Sequence, residues 1–101
     1  SFTNKVAEIL EQVDLLSKDQ ETSLIAFSEY LIKKHKLSLD EEINLRFNAF
    51  IRLRVENKID RFGLQKRLDA PKVLGGMGLY KGSAEKVVDE VELIMLLKYS
   101  K

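Results

Sequence analysis

The sequence predicts a single all-α domain, and three observations carry that prediction. Apolar residues recur at helical spacing in four separate segments. No stretch alternates strictly with period two, and none ends in an Asn-Gly or Asp-Gly hairpin turn. The 101-residue chain is 45% apolar and 33% charged, the balance of a globular protein with one core and not of a disordered one. The expected architecture is a small four-helix bundle with a long third helix and a glycine-rich loop before the last. Residues 64–68 supply a short fifth helical turn in the alternative count.

In order along the chain, Val6, Ile9, Leu10, Val13 and Leu16 trace one face of a first amphipathic helix starting near Thr3. A second opens at Ser17, with Gln20 at capping-box spacing, and buries Leu24, Phe27 and Leu31, flanked by Ile25, Tyr30 and Ile32. Lys33, Lys34 and Lys36 complement the helix dipole at its end. These two helices make up an acidic helical part, residues 1–37. Ser38 and Glu41 form a second capping box that opens the long helix, about 39–62, with Gly63 expected at the left-handed position just past its end. A loop over 63–83 follows, broken by Pro71 and by the four glycines, of the chain's five, that lie in residues 74–83. Ser83 is expected to cap the C-terminal helix, 84–99, in which Val87, Val88, Val91, Ile94 and Met95 form the stripe. Its run Leu93–Leu97 is apolar on every side, which predicts burial on every side.

Charge is segregated beneath a net value of +1. Residues 1–45 carry five basic against nine acidic side chains, residues 46–86 ten against four, and the last fifteen two against three. Placing side chains about 100° apart, Ile43, Phe47, Phe50 and Ile51 share a sector that Arg54, Lys58 and Arg61 occupy further along the long helix. Lys66, Arg67 and Lys72 extend this basic ridge of residues 52–72 into the loop. Such a ridge is a candidate contact for nucleic-acid phosphates, or else a solvated face or an internal partner for acidic helices. No zinc-finger spacing, RNA-stacking signature or basic-zipper heptad accompanies it.

The chemistry of catalysis is thin. His35 is the only histidine and sits among lysines in KKHK, and there is no cysteine. A zinc site would therefore need mostly carboxylates. Asp40, Glu41 and Glu42 fit a helix start, and Asp89, Glu90 and Glu92 an exposed helix side. The stretch LGGMGLYKGS, residues 74–83, misses the phosphate-loop pattern because Lys81-Gly82-Ser83 misplaces the lysine by one. It misses the dinucleotide pattern because Gly82 falls one residue late after Gly76 and Gly78. Its expected role is a flexible hinge. No enzyme activity, cofactor or metal is expected.

The functional expectation is a non-enzymatic helical interaction or regulatory protein that self-associates through helix surfaces. Met77, Leu79, Tyr80, Leu93, Met95, Leu96, Leu97 and Tyr99 are the candidate contacts for another protein or a second copy. The alternative is a nucleic-acid-associated regulator using Arg54, Lys58, Arg61, Lys66, Arg67 and Lys72. No apolar run approaches the ~20 residues of a membrane span, and the absence of cysteine favours a reducing, cytoplasmic setting.

Overall fold

The computed structural model describes residues 20–98, and within them every regular element is helical. We label them α1 (Gln20–Lys34), α2 (Glu41–Val55), α3 (Arg61–Asp69) and α4 (Lys81–Lys98), with a 3₁₀ turn at Lys72–Leu74 between α3 and α4. The expected helix over the first sixteen residues and the Ser17 capping box lie outside the described residues. The all-α prediction holds.

Each chain reversal has a local cause. Helix α1 ends with Lys36 in the left-handed conformation, φ 53°. The Leu37 N–H then reaches back to the Ile32 carbonyl and the Lys36 N–H to that of Lys33, the paired bonds of a Schellman ending. Leu37, next after the turn, packs against the core.

The predicted long helix is two helices. Asn57 takes φ 61°, the Lys58 N–H bonds the Leu53 carbonyl and the Asn57 N–H that of Arg54, so α2 closes with the same motif. Asparagine tolerates this conformation better than most side chains, which makes residue 57 the stop signal in place of Gly63. Asp60 then restarts the chain as a helix, its Oδ1 accepting from the Gly63 N–H at 2.8 Å. Gly63 thus sits in the first turn of α3, and residues 64–68 belong to that same helix.

Two further caps differ from expectation. The N-cap of α2 is Asp40, whose Oδ1 accepts from the Ile43 N–H at 2.9 Å, and not Ser38. Helix α4 begins at Lys81, with the Ala84 N–H bonded to the Tyr80 carbonyl, so Ser83 lies inside it.

One core joins all four helices. Phe27 and Leu31 from α1 meet Ile43, Phe47 and Ile51 from α2, Leu64 and Leu68 from α3, and Ala84, Val87, Val88, Val91 and Ile94 from α4. Each fully buried aliphatic or aromatic side chain there contributes about 1.5–3 kcal/mol. The even burial expected for the apolar run of α4 is not found. Ile94 is buried, Leu93 and Met95 are half-buried, and Leu96 and Leu97 are exposed. Only one side of the helix meets the other three, so the remaining leucines are left facing outward.

Candidate interaction surface

The three carboxylates of α4 that the sequence assigns to an exposed side each reach a different helix. Glu92 takes a two-point contact from Arg54 of α2, Nε and Nη2 each donating at 2.8 Å. Asp89 accepts from Arg61 of α3 at 2.6 Å. Glu90 meets α1 and the residue just after it, accepting from the Tyr30 hydroxyl at 2.6 Å and lying 2.5 Å from His35 Nε2. Burial alone would raise the Glu90 pKa. The bonds from His35 and Tyr30, with the positive charge of Lys34 nearby, outweigh it and hold the carboxyl below its usual range.

The basic ridge is therefore not a continuous phosphate-facing surface. Its projection assumed one straight helix, and the break at Asn57 removes Lys58 and Arg61 from that line. The Arg54 side chain is largely buried and committed to Glu92, with further bonds to Asn57 and the Ile59 carbonyl. Arg61 is paired with Asp89, and Arg67 donates to the Gly63 carbonyl one turn back. Lys58, in the turn, pairs with Glu56 at 3.2 Å. Lys66 and Lys72 are exposed. Three arginines of the basic segment thus tie helices together: Arg54 and Arg61 to α4, and Arg52 of α2 to Glu21 of α1.

The glycine stretch is held, not free. A helix end leaves its last carbonyls without intrahelical partners. Here the Met77, Gly78 and Leu79 N–H groups satisfy those of Arg67, Ala70 and Leu68, so the loop caps α3. The Leu74 and Gly76 N–H groups both bond the Pro71 carbonyl, closing the 3₁₀ turn. Arg46 of α2 fixes the turn from outside. Its Nη1 donates to the carbonyls of Lys72 and Gly76, both at 2.8 Å, while Nη2 donates to Glu42 at 3.1 Å. Gly76 is required by space: an added Cβ would stand 2.2 Å from the Ala70 carbonyl oxygen. Gly75 is required by conformation, with φ 91°. The expected hinge is a rigid cap because its N–H groups have fixed acceptors.

This cap presents apolar side chains to solvent. Val73 is 92% exposed and Leu74 77%. Tyr80, just before α4, is also exposed, whereas Met77 is buried in the core and Leu79 packs against it. Of the other candidate contacts, Leu96 and Leu97 are exposed at the end of α4, Leu93 and Met95 are half-buried, and Tyr99 lies outside the described residues. The candidate contacts did not include Leu45, Phe62, Val73 or Leu74, all of them exposed. Leu45 was findable, since it lies opposite the Ile43–Phe47–Ile51 stripe when side chains are projected about 100° apart. Phe62 and Leu45 each line a shallow, open depression, with Gln65, Lys66, Asp69 and Glu85 around the first and Asp40, Glu41 and Glu42 around the second.

Among the described residues no group of three or more histidines and carboxylates is placed to hold a metal ion, and no helix is long and apolar enough to cross a membrane. No known family model matches this chain, and no curated protein sequence or solved structure shows significant similarity to it.

Proposed function

We propose that this chain is a small, non-enzymatic helical interaction protein of regulatory type, working in the cytoplasm and acting first by self-association through the surface that carries the 3₁₀ turn. One observation carries the reading: a hydrogen-bonded, glycine-shaped loop holds Val73 and Leu74 out in water. Exposed apolar side chains scattered over a surface need no explanation, but here they stand on backbone already ordered. Such a tip loses little conformational freedom when it docks, so more of its burial appears as affinity. Self-association fits the near-neutral net charge of +1, which does not set copies apart, and the general prevalence of two-fold homodimers. The cysteine-free composition supports a reducing compartment. The nucleic-acid alternative has less support, because Arg54 and Arg61 are spent on Glu92 and Asp89.

Light scattering on a size-exclusion column over a dilution series tests this reading. Wild type runs with the mass of an oligomer at high concentration, and Leu74→Asp, checked by circular dichroism to be folded, runs as a monomer. A wild-type chain that stays monomeric throughout removes self-association from the proposal.

A further inference from the structure

The side chain of Arg46 marks a boundary between two unlike surfaces. On one side, at the start of α2, Asp40, Glu41 and Glu42 surround Leu45, which is 63% exposed. Glu41 and Leu45 follow one another at a spacing of four, on the side of α2 turned away from Ile43, Phe47 and Ile51. On the other side stands the 3₁₀ turn, with exposed Lys72, Val73 and Leu74. The guanidinium joins the two, since it bonds Glu42 and the Lys72 carbonyl at once. An acidic apolar patch therefore adjoins a basic apolar patch, each with at least one bulky aliphatic side chain in water.

A two-fold rotation about an axis near such a boundary lays the acidic half of one copy on the basic half of the other, and the reverse. We infer that the occupant of this surface is a second copy of the same chain, paired so that Glu41 and Leu45 of each copy face Lys72, Val73 and Leu74 of the other. The inference rests on the self-association proposed above and specifies its geometry. Unlike charges at the rim fix the register, and the aliphatic side chains between them are removed from water. An anionic membrane would engage Lys72 and the apolar tip but would be repelled by the acidic half, so it matches only part of the surface.

Two exposed charge reversals test the pairing, since neither residue is in the core. Glu41→Lys places lysine against lysine twice in a homodimer, and Lys72→Glu places glutamate against glutamate twice. Each alone is expected to raise the dimer dissociation constant about tenfold or more. Mixing the two variants restores both contacts, because the side chain introduced by Glu41→Lys in one chain meets that introduced by Lys72→Glu in the other and the native pair forms at the second site. The double variant Glu41→Lys/Lys72→Glu restores both within a homodimer. Recovery of the dimer in the mixture and in the double variant is the expected result. A wild-type dimer that neither reversal weakens, or that mixing does not restore, overturns this geometry while leaving self-association standing. A wild-type monomer overturns both. Binding of that monomer to phosphatidylserine-containing vesicles, lost in Lys72→Glu and strengthened in Glu41→Lys, would assign the surface to a membrane instead.

Discussion

Three glycine-to-alanine substitutions separate a seated loop from a loose one, because Gly76 is needed for space, Gly75 for conformation and Gly82 for neither. At Gly76 the new Cβ would lie 2.2 Å from the Ala70 oxygen and 2.5 Å from the Ala70 Cβ, against backbone that cannot swing aside. Relief requires the chain to move off Ala70. That strains the Gly78 N–H bond to the Ala70 carbonyl and the Arg46 bond to the Gly76 carbonyl, each now 2.8 Å. Losing one neutral and one charge-assisted hydrogen bond costs about 2–4 kcal/mol. For 3 kcal/mol the melting temperature falls by roughly 12–24 °C in a domain of this size. At Gly75 there is open space, and only the left-handed conformation, φ 91°, opposes alanine, at about 1–2 kcal/mol. At Gly82, in the first turn of α4 with nothing within 4 Å, alanine stabilises by up to about 0.5–1 kcal/mol. Urea unfolding followed by circular dichroism should order the proteins as Gly82→Ala, wild type, Gly75→Ala and Gly76→Ala, from most to least stable. Gly76→Ala as stable as Gly75→Ala would refute the seated loop.

The remaining predictions concern the caps and the Glu90 cluster. Asp60→Ala removes the bond that restarts the helix after Asn57 and should cost about 0.5–2 kcal/mol in the same unfolding assay, whereas Ser83→Ala, inside α4, should be nearly silent. Lys36→Gly should raise stability by about 1 kcal/mol, since φ 53° burdens a residue with a Cβ and suits glycine. Glu90→Gln should cost about 1–2 kcal/mol at neutral pH, by weakening its bonds to His35 and Tyr30. Because the folded-state pKa of Glu90 lies below its ordinary value of 4.5, that contribution is complete above 4.5 and disappears as pH falls through the lowered value. The stability gap between wild type and Glu90→Gln should therefore close in acid, as Glu90 is protonated in the folded chain; a gap that widens in acid contradicts the assignment.

The fold class was legible in the sequence because each core stripe repeats with helical period, and Phe27, Leu31, Phe47, Ile51, Val87 and Val91 lie where those stripes place them. The break in the long helix was not, because periodicity continues through it. Val55 and Ile59 both pack against the core, yet one ends a helix and the other lies in a turn. The signal was Asn57 followed three residues later by Asp60, a helix stop and a helix start, while the more conspicuous Gly63 drew the boundary to the wrong place. Charge behaved similarly. Sequence separates Arg54 from Glu92 and Arg61 from Asp89, so a run of basic residues reads as an open ridge until folding brings the carboxylates across. The glycine stretch misled for a related reason, since glycine signals either freedom or a close approach. The Ala70 carbonyl lying against Gly76 decides for the second. Met77 went to the core and Val73 and Leu74 to the surface, a division that follows from the turn geometry and not from hydrophobicity.

Amide hydrogen exchange at the glycine loop tests the central claim, that this stretch is a fixed cap presenting an apolar tip, most directly. Resolved residue by residue in dilute monomeric protein, the Met77, Gly78 and Leu79 amides should exchange as slowly as those in the middle of α3, because they close its last carbonyls. Exchange of these three amides at the rate of an open chain, with α3 itself protected, would contradict the account and return the loop to a hinge.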